Sequence, residues 1–274
     1  MPELPEVEVL KMSLEPRLVG RRIVSVEVRE RRLRVLVPRT LARDVAGRRV
    51  EGLRRRSKYL LIDLEGDKTL VIHLGMSGRL TIAPGRSGPA EPHEHLVFAL
   101  DRGGRLRFRD PRRFGLALAL KTSALERNPH FRDLGVEPLA PGFSGEVLSS
   151  LAKGRYGPVK SFLMDGRLVV GVGNIYATES LWRAGIHPAR SVARISMARW
   201  EALARSVVEV LSHAIREGGT TLNDFADGDG VEGEFQIELA AYDRAGEPCP
   251  RCGTAIRRLV QSGRSTYYCP GCQR

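Results

Sequence analysis

Cys249-Pro250-Arg251-Cys252 and Cys269-Pro270-Gly271-Cys272 hold all four cysteines of a 274-residue chain within its last 26 positions, with sixteen residues between the two pairs. Two residues between cysteines let both thiolates of one turn face a single ion. Two such turns, brought together by a hairpin, complete a tetrahedral sulfur site for zinc. A pair of disulfides and a redox couple are the competing readings. The absence of a basic, apolar leader argues against the first, and no βαβ pattern surrounds the cysteines to favour the second. The spacing predicts one structural Zn2+ held by Cys249, Cys252, Cys269 and Cys272, with no position left open for chemistry. Between the pairs, residues 255–260 and 265–268 read as strands around a turn at Gln261-Ser262-Gly263-Arg264, which puts Arg264 at the hairpin tip. An exposed tip arginine is usually just solvated, yet on a metal-stiffened finger it is also a good probe for a phosphate or a groove.

Upstream of the finger, residues 145–151, 159–163, 174–183 and 196–217 carry helical patterning, and the Pro/Gly-rich stretch 137–144 reads as a hinge. Before it lie short β-branched runs at 22–28, 34–37, 59–64, 69–74, 96–100, 106–108 and 115–120, bounded by Gly, Pro or charged turns. They predict a sandwich or barrel-like sheet pair. Residues 3–15 predict a helix with Leu4, Val7, Leu10 and Leu14 on one face, closed by Gly20 after Pro16. The expected fold class is α+β multi-domain: a helix plus two-sheet β-sandwich domain over 1–137, a helical domain over 138–237 and a zinc-finger hairpin over 238–274.

A formal charge of +12 implies a surface that attracts polyanions, with nucleic acid the leading candidate. Basic clusters at Arg54-Arg55-Arg56-Ser57-Lys58, across 105–113 and at Arg257-Arg258 with Arg264 lie far apart in sequence, so a binding groove would have to gather them. No run of about 18 apolar residues supports a membrane span. The expected setting is cytoplasmic or nucleoid-associated, with no membrane partner.

Met1-Pro2-Glu3-Leu4-Pro5-Glu6 places, once Met1 is removed, a secondary amine beside two carboxylates. An α-amino group titrates near ~8, so a useful fraction is nucleophilic at neutral pH. Attack by the Pro2 nitrogen on a sugar aldehyde carbon gives an iminium ion that cannot discharge by losing an N–H, and so acts as an electron sink. Pro5 and Glu6 equally suit the first turn of a helix. Two internal motifs join this one. In Val170-Gly171-Val172-Gly173-Asn174-Ile175-Tyr176 glycines run into a helix that Asn174 can begin, a phosphate-site geometry as well as a tight-turn geometry. Arg109-Asp110-Pro111-Arg112-Arg113-Phe114-Gly115 reads as a surface turn presenting a cation beside a ring. His93 and His95, with no further ligand nearby, read as structural.

Together with Ser57-Lys58-Tyr59-Leu60 and His73-Leu74-Gly75-Met76-Ser77-Gly78, these motifs make the whole chain resemble the formamidopyrimidine-DNA glycosylase and endonuclease VIII family, within it the formamidopyrimidine branch that removes oxidised purines such as 8-oxoguanine. The resemblance implies that residues 138–237 form a helix-two-turn-helix domain with a lesion-covering loop. It implies Pro2 as the nucleophile at C1′, Glu3 as acid/base, and Glu6 as the group that orients the amine or first helix. Lys58 and Arg264 would contact phosphates near the lesion and assist the two eliminations. A cation holding a phosphate stabilises it as a leaving group, whereas a guanidinium rarely gives up a proton.

Further implied DNA contacts are His73, His93, Arg155, Lys160, Asn174, Tyr242 and Arg112. Met76, Arg112 and Phe114 would fill the void left by the flipped base: a flexible thioether, a guanidinium for the orphaned base's edge and a ring wedge. The implied activity is bifunctional: base excision through a Pro2 Schiff base, then strand cleavage by β,δ-elimination on double-stranded DNA containing an oxidised base or abasic site. Zinc is the sole cofactor expected, and a monomer the expected state. The chain departs from the family pattern in an acidic stretch within the loop 218–238 and in Asp243, where a glycine is common. An endonuclease VIII-like action on oxidised pyrimidines and a non-catalytic zinc-finger damage-binding protein are the alternatives.

Overall fold

The computed structural model describes residues 2–85, 91–219 and 239–274. Among these, the chain divides into one compact unit holding residues 2–132 with 217–219, and a second holding 133–216 with 239–274.

The first unit opens with helix α1 (Leu4–Leu18), followed by β1 (Ile23–Val28), a short α2 (Leu41–Val45), β2 (Val50–Arg56), β3 (Tyr59–Leu64), β4 (Lys68–His73), β5 (Arg79–Ala83), β6 (Glu94–Leu100), β7 (Arg105–Arg109) and β8 (Leu116–Leu120). The strands form two antiparallel four-stranded sheets, ordered β1-β6-β7-β5 and β2-β3-β4-β8. Alternation puts Leu60, Ile62, Leu70, Ile72 and Ala117 of one sheet, and Leu80, Phe98, Leu106 and Phe108 of the other, into a single buried core. Val7, Leu10, Leu14 and Leu18 of α1 join it at helical spacing. The opposite side of the second sheet carries the buried, cross-strand neighbours Leu61, Val71 and Leu118. Phe131 packs there on Tyr59, ring centroids 5.0 Å apart.

Several local expectations change. Residues 34–37 form no strand, because the loop closes on itself: the Val37 carbonyl accepts from the Arg31 guanidinium, and the Val37 N–H donates back to the Arg31 carbonyl. Two strands went unread. In β2 a bulge at Gly52 breaks the alternation and Arg54 pairs across to Asp63, so what read as a charge cluster is an edge strand; β5 is cut short by Pro84-Gly85. Helix α1 continues through Pro16 to Leu18, and the turn that loses a hydrogen bond lies beside exposed Met12.

The second unit contains α3 (Gly145–Ala152), capped by the Ser144 hydroxyl, α4 (Val159–Leu163), α5 (Asn174–Arg183), α6 (Met197–Arg216), and the hairpin β9 (Arg257–Gln261) and β10 (Arg264–Tyr268). Phe162 and Trp200 join α4 to the long α6. The hairpin turn is tighter than expected. Gln261 pairs directly with Arg264, and only Ser262 and Gly263 turn, both at positive φ (48° and 73°). Arg264 therefore opens β10 instead of occupying the tip. No helix among the described residues is long and apolar enough to cross a membrane. The acidic stretch expected to cover a flipped base lies, beyond Gly219, outside the described residues.

Candidate functional site

In the first unit the candidate site begins where α1 begins. Glu3 precedes the helix in extended backbone, and its N–H donates to Glu6 Oε2 at 2.7 Å, the return half of a capping box. Pro5 sits in the first turn, where its missing N–H costs nothing. Pro2, Glu3 and Glu6 are all buried. The helix-start reading of the hexapeptide is thus observed: the capping box fixes Glu3 and Glu6 at the start of α1, with Pro2 buried just before them.

One turn further along α1, Glu8 Oε2 accepts from Arg55 Nε at 2.8 Å, and Arg55 Nη1 reaches the Ser57 carbonyl at 3.0 Å. Burial would raise the Glu8 carboxyl, but its bonds to Arg55 and Lys11 outweigh that and hold it below the ordinary value. Ser57 and Lys58 form the two-residue β2–β3 turn, with Ser57 at φ 56°. The turn carrying Lys58 is thereby fastened to α1. His73 at the end of β4 lies near it, its pKa lowered to about 4 by burial and then by the Lys58, Arg34 and His130 charges. The Gly75 N–H donates to His73 Nδ1 at 2.9 Å, so the neutral ring carries its proton on Nε2.

Met76, Arg112 and Phe114 lie on two loops, 74–78 and 110–115, that are bonded to each other. Ser77 Oγ donates to Asp110 Oδ1 at 2.7 Å, and the Arg112 N–H donates to Ser77 Oγ at 3.2 Å. Arg112 and Phe114 are exposed, with the guanidinium carbon 4.9 Å from the ring centroid. His93, at φ 65°, is exposed and its carbonyl accepts the Asp110 N–H. His95 is buried and bonds the Asp110 carbonyl through Nε2 at 2.7 Å, in keeping with the structural reading of that histidine.

In the second unit, Lys160 and Asn174 meet. Lys160 is 2 % exposed, and its Nζ donates to Asn174 Oδ1 (2.6 Å), Thr266 Oγ1 (2.7 Å) and the Ser265 carbonyl (3.3 Å). Asn174 Nδ2 donates to the same Ser265 carbonyl at 3.0 Å. Asn174 is the first residue of α5, with Gly173 as its cap. Its amide therefore ties the helix start to β10, directly beside Arg264. Arg264, Lys160, Met164, Asp165 and Gln261 line a cavity of about 220 Å3. Arg155 is exposed after α3, its Nε on the Leu151 carbonyl. Tyr242 packs edge-on against Tyr267, centroids 5.3 Å apart.

The four cysteines are free of disulfides, and their sulfurs all lie within 4.8 Å of one another. Separations are 3.4 Å for Cys252–Cys269 and 3.9 Å for Cys249–Cys272. Zn–S bonds of about 2.3 Å at tetrahedral angles require sulfurs about 3.8 Å apart, so the cluster fits one structural zinc ion. Hydrogen bonds from Thr254 lower Cys252 to about 6, whereas burial and the neighbouring sulfurs push Cys272 up to about 12. Four thiolates this close need a cation between them. Trp182 Nε1 donates to Cys249 Sγ at 3.4 Å, a bond that would steady this sulfur as a zinc ligand.

Sequence reading missed three supporting residues. Asp110 and Ser77 lay inside quoted motifs without a role. Glu179 of α5 carried no signal at all, yet it accepts the N–H groups of Ala240, Ala241 and Tyr242 at 2.7–3.0 Å. Asp243 adopts φ 61° and accepts the Tyr267 hydroxyl at 2.8 Å. Aspartate tolerates that left-handed backbone and adds a bond glycine could not make.

Comparison with known proteins agrees with this arrangement. Residues 1–117 match the formamidopyrimidine-DNA glycosylase N-terminal domain, 134–226 its H2TH domain, and 246–274 the zinc finger found in FPG and IleRS. Proteins named formamidopyrimidine-DNA glycosylase from Cupriavidus pinatubonensis and Methylococcus capsulatus are each 50 % identical, with both chains covered in full. Wild-type Lactococcus lactis Fpg, solved with DNA containing N7-benzyl-Fapy-dG, is 34 % identical with a TM-score of 0.92, again over both chains in full. A complex of the Lactococcus lactis protein with DNA containing an abasic site gives 33 % and 0.91 over 99 % of each chain. The sandwich, helical unit and cysteine hairpin define a zinc-finger protein of two-sheet α+β architecture. More particularly, the chain belongs to the formamidopyrimidine-DNA glycosylase family.

Proposed function

We propose that this chain is a bifunctional DNA glycosylase and abasic-site lyase of base excision repair, acting on oxidised purines in double-stranded DNA. The observation that carries the reading is the burial of Pro2 and Glu3 side by side at the capped start of α1, in a chain whose full length matches this family. With Met1 removed, the Pro2 nitrogen attacks C1′ of the damaged nucleotide. Glu3 donates and accepts the protons that let the sugar ring open and the base depart. The resulting iminium acidifies C2′–H. Loss of that proton expels the 3′ phosphate, and a second elimination expels the 5′ phosphate, leaving a one-nucleotide gap.

Lys58, on its fastened turn, serves the phosphate nearest the reacting sugar. His73 acts as a neutral Nε2–H donor, and His93 as an exposed contact. Met76, Arg112 and Phe114 fill the space the extruded nucleotide vacates. In the second unit, Arg264, Asn174, Arg155 and Tyr242 serve further phosphates, with Lys160 supporting Asn174 from beneath. The zinc ion holds the hairpin's shape and supplies no chemistry. The division 1–137, 138–237 and 238–274 assigns catalysis, helical DNA binding and finger, and one chain suffices for one site.

Borohydride trapping tests the reading on duplexes carrying one 8-oxoguanine opposite cytosine, after mass spectrometry confirms loss of Met1. A covalent adduct that Pro2→Gly abolishes is the expected result. A Lactococcus lactis relative has been solved with DNA containing an oxidised pyrimidine, so a pyrimidine lesion forms the second arm. Trapping there alone would move the chain to the other branch, and tight binding with no adduct on either would end the enzyme reading.

A further inference from the structure

Asp110 is fully buried, and every polar group it owns is committed to the two loops that carry Met76, Arg112 and Phe114 or to their flank. Oδ1 accepts the Ser77 hydroxyl and Oδ2 accepts the Gly115 N–H, both at 2.7 Å. Its carbonyl accepts the Arg113 N–H at 3.1 Å and His95 Nε2, while its own N–H donates to the His93 carbonyl. Ser77 completes the link by accepting the Arg112 N–H at 3.2 Å. The backbones interlock as well. A Cβ on Gly75 would sit 2.4 Å from the Phe114 carbonyl carbon, and one on Gly115 would sit 2.5 Å from the Phe108 ring and 3.0 Å from Asp110 Oδ2.

We propose that Asp110 and Ser77 are positioning residues that hold Met76, Arg112 and Phe114 as one pre-formed wedge for base extrusion, resting on the glycosylase reading above. A carboxylate is costly to bury, and its hydrogen bonds to two uncharged donors offset that cost without saying why a carboxylate stands there. Pre-ordering explains it. Two independent loops would lose freedom when the side chains they carry enter the helix, weakening whatever is gained by filling the void. Tied to one buried anion, they lose that freedom on folding, before DNA arrives. The wedge then acts most on steps in which a stacked base must leave the duplex.

The experiment compares single-turnover rates for two duplexes: one with 8-oxoguanine paired to cytosine, one with a pre-formed abasic site at the same position. Asp110→Ala and Ser77→Ala should slow action on the paired lesion about tenfold or more while changing abasic-site cleavage by less than about threefold. Asp110→Asn, which keeps an acceptor for the Gly115 N–H, should recover part of the loss. A 2-aminopurine beside the lesion should brighten with the wild type and fail to brighten with Ser77→Ala at saturating protein. Equal losses on both duplexes, or no loss on the paired lesion, would overturn the positioning role. If Asp110→Ala does not fold, Ser77→Ala carries the test, since it removes a single partly buried hydroxyl. Wild type inactive on both duplexes would instead bring down the enzyme reading, and this inference with it.

Discussion

Lys160 Nζ lies 2.6 Å from Asn174 Oδ1 and is closed off from solvent, so its ammonium holds the side chain that begins α5. With Thr266 and the Ser265 carbonyl as its other acceptors, the same ammonium binds β10 to that helix start. A buried charge is tolerated when its donors are matched in this way.

Lys160→Met should therefore lower stability by about 2 kcal/mol, the cost of leaving buried acceptors unmatched less the relief of an uncharged side chain. Hydrogen exchange should quicken at residues 264–268. Protection there equal to wild type would show that the hairpin does not depend on the lysine.

Glu179 offers two oxygens to three backbone N–H groups, with burial pushing its carboxyl pKa up against those bonds. Glu179→Gln turns an NH2 toward at least one of those donors and should cost about 2 kcal/mol, with Glu179→Ala costing more. Denaturant midpoints rank the two. A midpoint unchanged in the glutamine variant would refute the clamp.

Removal of zinc should loosen the finger, whose core is built around Cys249 and Cys269 with Ile256 and Tyr267. Metal affinity and folding are coupled in such small sites. A chelated sample, its metal content verified, should lose protection in 249–272 and lose productive DNA binding together. Retention of full lesion binding in verified metal-free protein would count against the structural role.

His73 adds a pH dependence. Its folded pKa is lowered to about 4 from 6.5, so below 6.5 the unfolded chain takes up the proton first. Stability contributed by the neutral ring is complete above 6.5 and is lost as pH falls toward 4, by up to about 3 kcal/mol. His73→Asn keeps an acceptor for the Gly75 N–H and removes the titration. Urea unfolding at pH 7.5 and 5.0 should show a larger drop for wild type than for the variant; parallel drops would exclude His73 as the source.

Binding to lesion-containing duplex should weaken steeply with salt, as expected when several phosphates are neutralised by a chain of charge +12. A log–log affinity slope near zero, measured by fluorescence anisotropy, would contradict phosphate-led binding.

The particular elements show what was legible. The α1 face, the helices from α3 to α6 and the cysteine hairpin were readable because period and ligand spacing are local properties. β2 was hidden by its arginines and its bulge, and the loop at 34–37 looked like a strand because β-branched composition does not reveal whether a ladder partner exists.

From sequence alone came the zinc ligands, the α+β plan, the amine and carboxylate at the start, and the motifs that would meet DNA. Only tertiary structure decided which polar groups face inward. That Lys160 supports Asn174, that Asp110 locks two loops, and that Glu179 gathers three N–H groups depend on residues 14, 33 and 61 to 63 positions apart. Desolvation and hydrogen-bond matching act on distances in space, and a chain written in one dimension does not contain those distances until it folds.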